Sequence, residues 1–199
     1  MSTNIDTTTA PDAPAPEDDC RRRHTLSSLV EMIASLESRP TFADLQDWLA
    51  NIEVDAGELE PYINFRPGTY VRTRVLRNEH VEMLVLCWRP GHYTSIHDHN
   101  GSYSSIRVIK GQMHETLYDY DRERGLCESD TRDWRPGHVA TADIPDIHRI
   151  GNHEDSACDL VTLHCYSPPF ETINTYKPGS REIGELRPEE PREVATKPR

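Results

Sequence analysis

The sequence predicts a mainly β domain, an all-β sandwich or barrel, with α-helices at its N-terminal end. Three observations carry this expectation. From Tyr62 onward, short apolar and β-branched runs recur about every ten residues between Gly and Pro turns, a spacing that fits a sandwich or barrel and not βαβ units. Ahead of them, apolar residues recur at steps of three and four, the period of a helix face. The two ends are rich in Thr, Pro, Asp and Glu and cannot bury enough apolar surface to offset their ordering entropy.

Residues 1–22 are therefore read as a disordered tail, 23–175 as the folded domain, and 176–199 as a polar C-terminal tail that could drape on the barrel. Thr25 opens the first helix as its cap, with Leu26, Leu29, Val30, Ile33 and Leu36 on one face. Arg39-Pro40-Thr41 breaks it, and Thr41 through Asp44 opens a second, whose face carries Phe42, Leu45, Trp48, Leu49 and Ile52. Stripes of this kind are packing faces, and no chemistry is assigned to them. Strands are expected over 70–76, 81–88, 94–99, 103–109 and 112–118. A polar hairpin follows over 119–133, then short strands over 139–144, 148–151 and 159–166.

The formal net charge of −12 argues against nucleic acid and anionic membrane as partners. No apolar run reaches the roughly 18 residues of a membrane-spanning helix, and the N-terminus lacks the layout of a signal peptide. The five cysteines (20, 87, 127, 158, 165) form no CxxC pair, so free thiols in a reducing, cytoplasmic compartment are expected. Cys87 and Cys158 are read as buried packing thiols. A single domain and a monomer are expected from 199 residues.

The chemistry centres on His97-Asp98-His99. Residues at i and i+2 on an extended strand point to the same face, so two imidazoles converge there. That is half of a three-ligand metal site. His148, on a short strand after a Pro turn, is the candidate third ligand, although a lone histidine there would otherwise be an ordinary core or surface residue. Arg72 could likewise be an exposed strand charge, and His164 and Tyr166 could be satisfied core groups.

The company these residues keep changes that reading. Gly91, five residues, His97-x-His99 and then Gly111 form one unit; Gly137, His148 and Asn152 form a second, with Asp143 and Pro145 between. The two units resemble the paired motifs of the cupin superfamily, which implies a jelly-roll β-barrel. Ser104 stands where the usual cupin motif has Glu, leaving three imidazoles, a set that suits Fe, Zn, Cu or Ni.

A narrower resemblance lies in Leu86-Cys87-Trp88-x-x-Gly91-His92, Ser95-Ile96-His97-Asp98-His99, Gly111-Gln112-Met113-His114-Glu115-Thr116-Leu117, His148-Arg149-Ile150-Gly151-Asn152 and the run from Val161 to Thr172. Over about Tyr62 to Phe170 the chain resembles the cysteine dioxygenases. The resemblance implies non-haem Fe(II) on His97, His99 and His148, and oxidation of the L-cysteine thiol to a sulfinate by O₂. It also implies that Arg72 binds the substrate carboxylate with Tyr70 in support, Arg74 being the rival. Tyr166 would sit over the iron, oriented by His164 and by Thr162 in the family's Ser position. Ser167-Pro168 is a candidate cis peptide. Ser104 also occupies the place of a cysteine that cross-links to the tyrosine in mammalian members, so no Cys–Tyr thioether is expected. Two alternatives stay open. One is a dioxygenase of 3-mercaptopropionate or another small thiol, whose relatives tend to carry Gln where Arg72 stands. The other is a non-oxidative metal-binding cupin.

Overall fold

The computed structural model describes residues 23–142 and 146–194. The expected tail 1–22, Cys20, and Asp143, Ile144 and Pro145 of the second motif lie outside the described residues.

The helices begin where the sequence caps them. α1 (Leu26–Ala34) and α2 (Phe42–Ala50) each start from a threonine whose hydroxyl accepts the third-residue N–H, from Ser28 at 3.1 Å and Asp44 at 3.2 Å. Those residues' side chains bond back to the threonine N–H, closing capping boxes that contribute about 1 kcal/mol each. A short α3 (Ala56–Leu59) follows, opened by Asp55.

The rest is two six-stranded sheets. In chain order the strands are β1 (Val71–Arg77), β2 (Glu82–Trp88), β3 (Ile96–His97), β4 (Tyr103–Lys110), β5 (Met113–Asp121), β6 (Gly125–Trp134), β7 (Val139–Ala142), β8 (Ile147–Gly151), β9 (Leu160–Ser167), β10 (Ile173–Tyr176), β11 (Gly184–Leu186) and β12 (Arg192–Glu193). One sheet runs β12-β1-β2-β9-β4-β7 and the other β11-β10-β3-β8-β5-β6. This is the expected jelly-roll β-barrel with N-terminal helices.

β2 and β9 are buried along their whole length because both of their faces are covered. Met83, Val85, Cys87, Val161, Leu163 and Cys165 turn outward against Leu29, Ile33, Leu45 and Leu49 of the helices. Leu84, Leu86, Trp88, Leu160 and Tyr166 turn inward with Ile106, Val108 and Ile150. A strand covered on both faces reads as a continuous apolar run, as 83–88 does. The period of two then decides which residues reach the barrel interior. Gly111 turns between β4 and β5 at φ 81°, and a Cβ there would lie 2.7 Å from the Asp159 carbonyl oxygen, so only glycine fits.

Three expectations need correction. β3 spans only residues 96–97 of the expected strand over 94–99, because the chain leaves the sheet into the turn 99–102, closed by the Ser102 N–H on the His99 carbonyl. Cys158 is exposed in the β8–β9 connection, whereas Cys87 is buried as expected. The C-terminal stretch is not simply tail: Tyr176 lies in β10, β11 pairs with β10, and β12 pairs in parallel with β1. The segment between β11 and β12 crosses from one sheet edge to the other. Its polar composition hides this, because edge-strand pairing uses main-chain groups that composition does not report. No helix is long and apolar enough to cross a membrane among the described residues.

Candidate metal centre and substrate cavity

β3 and β8 are neighbours, and their register sets His97 directly opposite His148. His99 follows two residues after His97 and returns to the same side. The three rings form a near-equilateral triangle, with centroids 5.1, 4.9 and 5.0 Å apart. All three are buried, and one ligand atom from each lies within 4.8 Å of the others. The sequence expected this trio, and the fold brings it together.

Two of the three rings, His97 and His148, are held from behind by hydrogen bonds. His97 Nδ1 lies 2.9 Å from the Ser95 carbonyl oxygen. His148 Nδ1 lies 2.8 Å from Glu115 Oε1, and Trp134 Nε1–H donates to Glu115 Oε2 at 2.7 Å. His99 Nδ1 faces Asp146 Oδ2 at 3.4 Å. His148 Nε2 is left buried with no hydrogen-bond partner among the described residues. Tying one ring nitrogen to an acceptor fixes the tautomer and aims the other at a common point. Burial holds His97 well below the ordinary imidazole value and His99 below it, so both are neutral, as metal ligation requires. Burial also pulls His148 down, but the Asp146 and Glu115 carboxylates outweigh it and leave it above that value.

Beside the trio is a cavity of about 260 Å³ lined by Tyr70, Arg72, His97, His164, Tyr166 and Phe170, among others. β1 and β9 deliver its polar groups. Residues 70 and 72, and 162, 164 and 166, share a parity and point inward. Tyr70 stacks on Trp88 at 4.2 Å between centroids. Arg72 Nη1 donates to the Glu189 carbonyl oxygen at 2.8 Å. It forms no ion pair among the described residues, whereas Arg66, Arg74, Arg77 and Arg187 nearby all do. Arg74, the rival for the carboxylate, is held by Glu82 and Glu193 and does not line this cavity.

A hydrogen-bonded chain runs through β9. Trp88 Nε1 lies 3.0 Å from Thr162 Oγ1, which lies 2.8 Å from His164 Nε2, while His164 Nδ1 lies 2.8 Å from Tyr166 Oη. The indole can only donate. Thr162 therefore accepts from Trp88, and the partner left for its own proton is His164 Nε2. His164 then carries its proton on Nδ1 and donates to Tyr166. The Tyr166 O–H is thereby left to point into the cavity, and burial raises its pKa so that it stays protonated. Cys165, between them, faces the helices, and burial pushes its thiol up to about 12. Ser104 stands directly opposite Tyr166 across the β4–β9 ladder. The Ser167–Pro168 bond is cis.

A family model described as cysteine dioxygenase type I matches residues 20–179. The chain belongs to this family. Cysteine dioxygenase type 1 of Rattus norvegicus is 30% identical over 160 residues, covering 76% of this chain and 78% of its own. The Homo sapiens protein of the same name is 29% identical over the same coverage. A solved structure from Klebsiella pneumoniae subsp. pneumoniae, described as an uncharacterized conserved protein with a double-stranded beta-helix domain, superposes with a TM-score of 0.47 at 17% identity. It covers 55% of this chain and 81% of its own.

Cysteine dioxygenases depend on iron, and the residues here fit it. The donors are three neutral-capable imidazoles, a set that suits iron, with a buried His148 Nε2 that has no other partner among the described residues. Sequence reasoning assigned no role to Trp88, Glu115, Trp134, Asp146, Phe170 or Glu189. Glu115 did leave a signal, as a carboxylate on the same parity as buried Met113. Trp134 reaches Glu115 across the neighbouring β5–β6 pair, while Glu189 left no signal because it comes to Arg72 from the segment before β12, whose partner β1 is distant in sequence.

Proposed function

We propose that this chain oxidises the thiol of L-cysteine to cysteine sulfinate, with both atoms of O₂ ending on sulfur. The observation that carries the substrate assignment is Arg72, a guanidinium without an ion-pair partner among the described residues, in the cavity that His97 and Tyr166 line. His97, His99 and His148 would hold Fe(II). Iron bound there supplies a Lewis-acid centre on which a thiolate and dioxygen are brought together.

The protein's own groups do the rest. Arg72 receives the carboxylate on guanidinium donors not used by the Glu189 carbonyl, in the paired geometry that favours Arg over Lys. Tyr70, braced on Trp88, supports that contact. Tyr166 donates its hydrogen bond toward the sulfur end, where negative charge develops on oxygen. His164 and Thr162 keep it oriented. Leu86, Ile150, Phe170 and Ile173 supply the apolar part of the wall. Ser104 carries no sulfur, so the site works without a thioether to Tyr166. Intact mass after turnover should equal the sequence mass, and a loss of two hydrogens mapping to Tyr166 would contradict this.

The deciding experiment is O₂ consumption by the iron-loaded protein across a panel of small thiols. Uptake with L-cysteine, yielding the sulfinate, supports the reading. Uptake with 3-mercaptopropionate alone would reassign the substrate. No uptake with any small thiol would sink the enzymatic reading.

A further inference from the structure

The family match ends at residue 179, yet the chain continues across the substrate cavity. β11 pairs with β10 through Ile173↔Leu186, and β12 pairs with β1 through Thr73↔Arg192. Both are edge strands, one in each sheet. Residues 187–191 therefore stitch the two sheets together along the seam on which the cavity opens. Leu186, Pro188 and Glu189 form part of its wall.

Glu189 faces two ways. Its main-chain carbonyl accepts from Arg72 Nη1 at 2.8 Å, inside the cavity. Its carboxylate takes both Nη groups of Arg66, at the rim that Arg66 and Glu189 share. Further ion pairs, Arg187–Glu171 at 3.0 Å, Arg74–Glu190 at 3.5 Å and Arg74–Glu193, hold the flanks of the strap to the barrel. An arginine side chain has several rotatable bonds, and a fixed acceptor on one Nη leaves it one orientation of its remaining donors.

We infer that this C-terminal strap is a specificity element: its Glu189 carbonyl pre-orients Arg72, and its residues 186–189 close the cavity beyond the guanidinium. The inference rests on the thiol dioxygenase reading. The strap sets the distance between the metal-side histidines and the carboxylate-binding fork. A thiol acid one methylene longer than L-cysteine, such as homocysteine, needs the fork to move outward, where the strap stands.

The test compares the iron-loaded protein with the triple variant Pro188→Gly/Glu189→Gly/Glu190→Gly, which releases the Arg66–Glu189 and Arg74–Glu190 pairs and slackens the strap without shortening the chain. Iron content and melting temperature check that the barrel is intact. The KM for L-cysteine should rise on the order of tenfold, the size of one weakened charge-assisted hydrogen bond. The kcat/KM preference for L-cysteine over homocysteine should fall by a similar factor. The anaerobic Kd of L-cysteine, read by calorimetry on the iron-loaded protein, should rise in parallel with KM. Arg66→Gln, which breaks the rim latch from the barrel side, should move all three in the same direction by a smaller factor, and it carries the test if the triple variant loses iron. Unchanged KM, Kd and thiol preference in these variants would overturn the inference while leaving the enzymatic reading intact. Absence of thiol oxidation in the wild type would instead sink that reading.

Discussion

Arg72 and Arg74 differ by two positions on one strand and share a face, so alternation alone cannot rank them. Their neighbours do. Arg74 is neutralised by the buried Glu82 and by Glu193, while among the described residues Arg72 meets a carbonyl oxygen and no carboxylate. Arg72→Ala should raise the KM for L-cysteine on the order of a hundredfold, with iron retained, because it removes paired hydrogen bonds to a charged group. Unaltered kinetics would return the role to Arg74. Thr162 makes a similar point. In Thr162→Val the shape is kept, but the Trp88 N–H and His164 Nε2 are left unpaired, at a stability cost of about 1–3 kcal/mol. With the His164 tautomer no longer fixed, kcat should fall on the order of tenfold at constant iron content. If both kcat and its pH profile stay unchanged, the chain of hydrogen bonds does not orient Tyr166.

Among the elements, the sheet β6-β5-β8-β3 carries the metal centre. β8 presents His148, β5 places Glu115 behind it, and β6 lends the Trp134 N–H that holds Glu115 in place. Glu115→Gln keeps the shape but weakens the acceptor. Iron affinity, measured against a competing chelator, should drop by about 10–100-fold, the range for lost partners of metal-bound histidines. Affinity equal to wild type would show that Glu115 does not set the ring. Strands β2 and β9, both buried throughout, were legible because burial on two faces leaves mostly apolar runs, broken only by Glu82 in β2 and by Thr162, His164 and Ser167 in β9. The helices were legible because Thr25 and Thr41 sit where their capping boxes need them. β11 and β12 were not, because pairing at a sheet edge needs no apolar side chains.

At the scale of the whole molecule, burying several imidazoles together ties stability to pH. Burial depresses His97 and His164 well below the ordinary value of 6.5, and His99 below it. Their contribution to stability is full above about pH 6.5 and is lost as pH falls below it, since the unfolded chain then takes up protons that the folded one refuses. His148 has the opposite sign: burial pulls it down, but Asp146 and Glu115 hold it above 6.5, so its contribution is lost as pH rises through its folded value. With three imidazoles against one, the metal-free protein should melt at lower temperature on going from about pH 7 to about pH 5.5, each depressed group contributing up to about 1.4 kcal/mol per pH unit. A melting temperature that climbs on acidification would contradict this balance. The amino-acid order already specified α1 and α2, the barrel strands, the His97/His99 pair and the Thr162-His164-Tyr166 alternation, because periodicity and i, i+2 spacing are local properties of the chain; His148 joined that pair only through the resemblance to the family motif. Which arginine is free, which way the proton sits on His164, what braces His148, and that the C-terminus crosses the cavity all depend on contacts between residues far apart in sequence. Those contacts exist only once the two sheets close on each other.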